Sequence, residues 1–349
     1  MRINFLLPHL KPSGGVTGDL GHAHELSKRG HQITVAIENR SISRYYRNIF
    51  NSHPLLPKDS RVRIRHVKSF DDLPDADIFF ADSWKVAKKL YNLDKKGLKF
   101  EWVQHDERLY HGDPKKVEEV YRLPLIKMVT ATWLKDLFRK EFNYDAEVLF
   151  NAIDCILFHP RSEKRPDNDI RILLLCHDFA WKGTKEGVEI VQNLKKKYPN
   201  IKLILFGTRE GKIEYAYDEY HFNLFREKLA ELFRSCDIFL GPSWYEGLNL
   251  PPRWAMASSC AVVTYDNGSS RDYAFDGETA LVAERKNKNE LSRKLEELIN
   301  NQALREKIAR QGLEYVRKMP TGEELAIKLE TIFIKALNER NNNAQTGKK

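Results

Sequence analysis

Short apolar runs recur along this chain, and between them lie longer stretches in which apolar residues return every three or four positions. Residues 2–8, 32–37, 61–67, 77–81, 100–104, 127–131 and 147–150 read as strands of the first half. Their near-continuous apolar character suits parallel strands covered on both faces. Residues 16–29, 84–91 and 132–142 carry the helical period, with Leu20, Ala23 and Leu26 near one face of the first. A second series begins at Ile170, with strands at 172–175, 202–206, 238–240, 261–264 and 280–283. Helices are predicted at 184–198, 253–258, 289–300, 302–317 and 323–338. Strand and helix alternate throughout, so the pattern predicts an α/β protein with two doubly wound, Rossmann-like halves. The charged, proline-containing stretch 161–169 reads as the linker. The polar, aromatic stretch 39–58 reads as a loop able to reach a second substrate, and the polar end 339–349 as a disordered tail.

Candidate chemistry collects in loops that follow strands, where open α/β sheets bind ligands. In Gly241-Pro242-Ser243-Trp244-Tyr245-Glu246-Gly247-Leu248-Asn249-Leu250-Pro251-Pro252 a strand ends and a helix begins. The two prolines suit the first helical turn, where a missing N–H is harmless. The N–H groups of Gly247, Leu248, Asn249 and Leu250, with the helix dipole, favour an anion such as phosphate. Glu246 beside such a site makes sense if it faces another part of the ligand, such as sugar hydroxyls. Lys182-Gly183 occupies the loop after an earlier strand. Gly14 and Gly15 follow the first strand, where they allow close approach of backbone to a ligand or form a plain tight turn. The third glycine of a dinucleotide fingerprint is missing, which argues against a nicotinamide enzyme. His105 follows a strand and precedes Asp106 and Glu107, either of which would orient its imidazole.

The stretch around Glu246 resembles the signature of the retaining GT-B glycosyltransferases of family 4, Pro-Ser-x-x-Glu-Gly-Phe-Gly-Leu-Pro-x-x-Glu-Ala-Met-Ala. Pro242, Ser243, Glu246, Gly247, Leu250, Pro251, Ala255, Met256 and Ala257 match it. Asn151-Ala152-Ile153-Asp154 with Phe158 and Pro160, and Lys182-Gly183, resemble further family segments. The resemblance runs over residues 1–338. It implies two Rossmann-like domains facing across a cleft: 1–160 on the acceptor side, joined by a returning helix at 320–338, and 165–319 for the donor. It implies transfer of a hexosyl-type sugar, with retention and without a metal, from a nucleotide-diphosphate sugar to a saccharide or lipid-linked acceptor. By the same resemblance Glu246 and His105 are catalytic. Gly14, Gly15, His177, Lys182, Gly247, Leu248, Asn249, Leu250 and Trp254 then bind the donor, Lys182 at its pyrophosphate. Three departures mark this chain. Asn249 stands for glycine, Trp254 for the second glutamate, and His177, a pH-dependent cation, for arginine. Trp254 offers no acceptor to a ribose hydroxyl, which points to a deoxythymidine-diphosphate sugar, unless Trp254 turns into the core and Arg253 or a water serves the ribose. The segment 102–107 resembles bacterial rhamnosyltransferases. His177 and Trp254 also fit an alternative, a catalytically inactive sugar-nucleotide-binding or scaffold protein.

Composition changes this picture little. The 349 residues carry a formal charge of +9, with 42% hydrophobic and 31% charged residues. The lysines are spread along helices among acids, so a nucleic-acid partner is not expected, while an anionic membrane surface suits the charge. Cys155, Cys176, Cys236 and Cys260 form no paired motif and fit reduced core thiols of a cytoplasmic protein, peripheral at the inner membrane face where the acceptor is lipid-linked. No His/Cys cluster has metal-ligand spacing, and no cofactor beyond the nucleotide sugar is implied.

Overall fold

The computed structural model describes all residues except 39–52, 164, 166, 167, 212 and 347–349. Part of the loop expected at 39–58 therefore lies outside the described residues. The chain divides into two units, residues 1–152 with 320–349, and residues 153–319.

In the first unit, strands β1 (Arg2–Leu7), β2 (Gln32–Glu38), β3 (Arg63–Val67), β4 (Ile78–Ala81), β5 (Leu98–Val103), β6 (Ile126–Val129) and β7 (Glu147–Val148) form one parallel sheet in the order β3-β2-β1-β4-β5-β6-β7. Helices α1 (Gly14–Lys28), α2 (Trp84–Asn92), α3 (Pro114–Tyr121) and α4 (Thr132–Phe142) make the crossovers. Every residue of Ile78-Phe79-Phe80-Ala81 is buried, because both faces of β4 are covered. The helix α1 begins at Gly14 rather than near Val16, since Ser13 caps it by accepting the Val16 N–H at 3.2 Å.

The second unit contains β8 (Ile170–Cys176), α5 (Thr184–Lys195), β9 (Ile201–Gly207), β10 (Glu219–Phe222), α6 (Arg226–Arg234), β11 (Ile238–Gly241), α7 (Leu250–Ala257), β12 (Ala261–Tyr265), β13 (Leu281–Ala283), α8 (Lys288–Asn300) and α9 (Gln302–Val316). Its parallel sheet runs β10-β9-β8-β11-β12-β13. Ile153 and Phe158 belong to this unit: Phe158 meets the ring of Phe233 at 5.8 Å.

The last helix, α10 (Gly322–Thr346), belongs to the first unit. Leu325, Leu329 and Phe333 recur every fourth residue, so they share one face, and they are buried in the core formed by β1, β4, β5 and α1. Phe333 packs edge-on against Phe100 at 4.9 Å and Phe80 at 5.9 Å. Glu330 holds Arg29 and accepts from or pairs with His31 at 2.8 Å. Helix continues through 339–346, where a disordered tail was expected, because no glycine or proline interrupts the chain before Gly347. No helix among the described residues is long and apolar enough to cross a membrane.

Three elements escaped the pattern reading. β10 is short and half exposed, so it lacks an apolar run. α3 was announced by the cap Asp113 and by Pro114 at its start. α6 carried its signal in Leu229, Leu232 and Phe233.

Candidate functional site

In each sheet the strand order reverses between two central neighbours, β1 and β4 in the first, β8 and β11 in the second. Crossovers leave in opposite directions there, which opens a crevice at the carboxyl ends of the two strands. In the second unit the loops after β8 and β11 carry Lys182 and Glu246.

The β8 loop is shaped by local bonds. Thr184 Oγ1 accepts the His177 N–H at 2.9 Å and bonds the Leu175 carbonyl at 3.1 Å, closing the turn into α5. Residues Ala180–Lys182 form a 3-10 turn that ends at Gly183 with φ +69°. A Cβ on Gly183 would lie 2.2 Å from the Pro242 carbonyl oxygen, so only glycine lets the two loops meet. The Trp244 N–H donates to the Trp181 carbonyl at 2.8 Å, tying the loops together. A third loop, after β12, completes the seat. Its Asn267 carbonyl accepts the Glu246 N–H at 3.0 Å, and Ser269 Oγ accepts the Asn249 N–H at 3.2 Å.

Lys182 Nζ reaches both oxygens of Glu246, at 2.7 and 2.8 Å. The Glu246 side chain is 6% exposed and that of Lys182 20%. A carboxylate this buried needs a counter-charge, and the ammonium supplies it. Two of the three ammonium N–H bonds are used, which leaves one for a ligand. Among the described residues, none accepts the N–H groups of Leu248 or Leu250, which stand at the start of α7. The expected cradle of four N–H groups is therefore smaller, because Ser269 takes that of Asn249.

Two further expectations change. At His177 the expected cation is disfavoured. Its Nδ1 accepts the Phe179 N–H at 3.1 Å, and burial together with Lys182 holds its pKa below the usual value. Trp254 does not lie ready for a ribose. Its ring stacks on Phe158 at 5.1 Å and 2° and meets Phe233 edge-on at 5.9 Å, so the half-buried side chain packs against the core. The argument for a deoxyribose donor thus loses its physical basis. The neighbouring Arg253 is fully buried and donates from Nε to the Asn249 carbonyl at 3.4 Å, beneath the motif.

In the first unit, Gly14 and Gly15 open α1 in ordinary helical backbone, and a Cβ on Gly15 would touch Gln104 at 3.4 Å. His105 Nδ1 lies 3.3 Å from the Tyr110 hydroxyl, and the His105 carbonyl accepts from Tyr121 at 3.1 Å. Asp106 accepts from Arg108 Nε at 2.9 Å, and Glu107 accepts the Trp84 N–H at 2.8 Å. Sequence reasoning also missed a pair of carboxyl groups. Asp19 of α1 and Asp82, directly after β4, face each other at the first sheet's switch point, and Gln104 Nε2 donates to Asp19 at 2.9 Å. Burial raises both pKa values, that of Asp82 to about 7, and the charge of Asp82 raises that of Asp19 further, while the bond from Asp19 acts to lower that of Asp82. The available signal was an acid placed on the buried face of a helix opposite an acid at a strand end.

Residues 157–315 match the family described as Glycosyl transferases group 1. The match spans β8 to α9 and includes both Lys182 and Glu246. The chain is 26% identical over 254 residues to the O-antigen biosynthesis protein RfbC of Myxococcus xanthus, covering 70% of this chain and 20% of that one. It is 32% identical over 196 residues to the uncharacterized glycosyltransferase MJ1178 of Methanocaldococcus jannaschii, covering 54% and 53%. The chain thus spans about half, or less, of the length of these curated relatives. Among solved structures it resembles Anabaena HepE in complex with UDP and glucose, with a TM-score of 0.76 at 14% identity over 96% of this chain and 100% of that one. The two units are the Rossmann-like domains of the GT-B fold.

Proposed function

We propose that this chain is a retaining, metal-independent glycosyltransferase that moves a sugar from a nucleotide diphosphate to a saccharide or lipid-linked acceptor. The observation that carries the reading is the Lys182–Glu246 pair at the switch point of the second sheet, beside the start of α7. A departing diphosphate needs positive charge and N–H donors. The remaining N–H of Lys182 and the N–H groups of Leu248 and Leu250 are of that kind. Glu246, neutralised in part by Lys182, can lie beside a phosphate without repelling it. In this role it holds sugar hydroxyls and steadies positive charge growing at the anomeric carbon. The leaving phosphate oxygen then takes the proton of the acceptor hydroxyl that attacks from the same face. His105, on the first unit, serves the donor sugar in this reading. The curated relative in O-antigen biosynthesis and the UDP and glucose bound by HepE support a nucleotide-sugar donor and a surface-glycan acceptor.

The test uses calorimetry with UDP and uridine, and release of nucleoside diphosphate from a panel of UDP-, GDP- and dTDP-sugars. Glu246→Gln should stay folded and keep its affinity for the nucleotide, while turnover falls about a hundredfold. Lys182→Ala should weaken the diphosphate and leave the nucleoside unchanged. Wild-type turnover in a folded Glu246→Gln protein overturns the assignment. Tight nucleotide-sugar binding with no turnover in the native chain favours the scaffold alternative.

A further inference from the structure

The loop that delivers Lys182 also displays a ladder of rings. His177 and Phe179 lie 4.6 Å apart, and Phe179 stacks on Trp181 at 4.2 Å and 16°. Phe179 keeps 43% of its surface exposed, an unfavourable place for a phenyl ring. Through the Trp244–Trp181 bond this ladder adjoins a second aromatic group with cations above it. Lys286 Nζ stands 4.5 Å from the Trp244 ring, and Arg285 Cζ stands 4.6 Å from that of Tyr245. Lys286 adopts φ +65°, a conformation unfavourable for any residue with a Cβ. Arg285 Nε donates to the Asp266 carbonyl at 3.0 Å, so its approach to Tyr245 is also fixed. Arg285 also feels the Asp266 carboxylate, which it shares with Arg271, whereas no ion pair within 4.0 Å is formed by Lys286 among the described residues.

One exposed and three half-buried rings beside fixed cations are complementary to one kind of ligand. A pyranose offers an apolar C–H face to an aromatic ring, and a carboxylate or phosphate on it satisfies the cations. We infer that Phe179, Trp181, Trp244 and Tyr245, with Arg285 and Lys286, form a subsite for an anionic saccharide, the acceptor glycan. This rests on reading the adjoining Lys182–Glu246 pair as the site of sugar transfer. The rings supply stacking that tolerates the identity of the sugar, and the two cations select for negative charge. Specificity for the acceptor then lies partly on the same unit that holds the donor.

Saturation-transfer NMR and titration on the full chain test this, with three probes: a hexasaccharide of alternating glucuronate and N-acetylglucosamine, neutral maltohexaose, and UDP. The glucuronate hexasaccharide should bind, with saturation strongest on its ring C–H protons, and maltohexaose should bind more weakly. Phe179→Ala should weaken both saccharides, by about tenfold for the anionic one. Lys286→Gln should weaken only the anionic one. Affinity for UDP should stay within about twofold in both variants, which reports that the neighbouring site is intact. Binding of UDP without either saccharide overturns the subsite, as does equal binding of the two saccharides. A loss of UDP affinity in Phe179→Ala overturns it as well and makes the rings a platform for the base. Saccharide binding without UDP binding instead sinks the donor reading and leaves the subsite standing.

Discussion

The pair of Asp19, fully buried, and Asp82, half-buried, makes the stability of the first unit depend on pH in a defined direction, and Asp82→Asn should remove the share due to Asp82. Asp82 has its pKa raised from 3.8 to about 7, chiefly by burial. Between those values the folded chain holds a proton that the unfolded chain has released. Stability from this group is therefore fullest below pH 3.8, declines as pH rises, and is gone above about pH 7. Integrating a single site with these two values gives a loss on the order of 3 kcal/mol between pH 5 and pH 8. The wild-type curve alone would conceal it. His22, three residues along α1, has its pKa lowered from 6.5 to about 4 by burial, against the opposing effect of its bond to the Phe150 carbonyl. It must stay neutral when folded, so its contribution rises over the same range, by about 2 kcal/mol. The informative quantity is the difference between wild type and Asp82→Asn, measured by urea denaturation at half-unit steps from pH 5 to pH 8. The asparagine keeps size and much of the hydrogen bonding but cannot ionise, so the variant should gain on the wild type by on the order of 3 kcal/mol across the range. Asp19, Asp82 and Glu107 interact, so the transition belongs to the cluster and should be broad. Parallel curves, with a constant difference at every pH, would refute the reasoning.

Three further outcomes follow from the second unit. A double-mutant cycle of Lys182→Met and Glu246→Gln should return a coupling of about 2 kcal/mol in denaturant unfolding, since each single change strands a buried group; a coupling below about 0.5 kcal/mol counts against the pair. Gly183→Ala should destabilise by more than about 2 kcal/mol, because a methyl group meets the Pro242 carbonyl in left-handed backbone, and a melting temperature unchanged from wild type would contradict the geometry. Trp254→Ala should lower stability by about 3 kcal/mol, yet calorimetry should find its affinity for UDP and dTDP in the wild-type ratio, whereas a shifted ratio would return the tryptophan to the nucleotide site.

Much of this architecture is local and so is written in sequence. Apolar runs such as Ile78–Ala81 announce buried parallel strands because both faces of the sheet are covered. Pro251 and Pro252 mark a helix start because their missing N–H groups are harmless only there. The loops bearing Lys182 and Glu246 are therefore legible as candidate ligand loops from their place between a strand and a helix. What lies across the fold is not. Lys182 and Glu246 are 64 residues apart, and their ion pair exists only because β8 and β11 are neighbours at the point where the strand order reverses. Ser269 takes the Asn249 N–H from twenty residues away, which no helix-start rule anticipates. A motif position also leaves open which side of a short helix meets the core. By position alone Trp254 reads as a nucleotide contact, whereas Phe158 and Phe233 hold it against the core. The carboxyl pair of Asp19 and Asp82 is the extreme case. Each residue alone is an ordinary polar position, and only the packing of α1 on the end of β4 puts the two charges together out of water, where one of them must keep its proton.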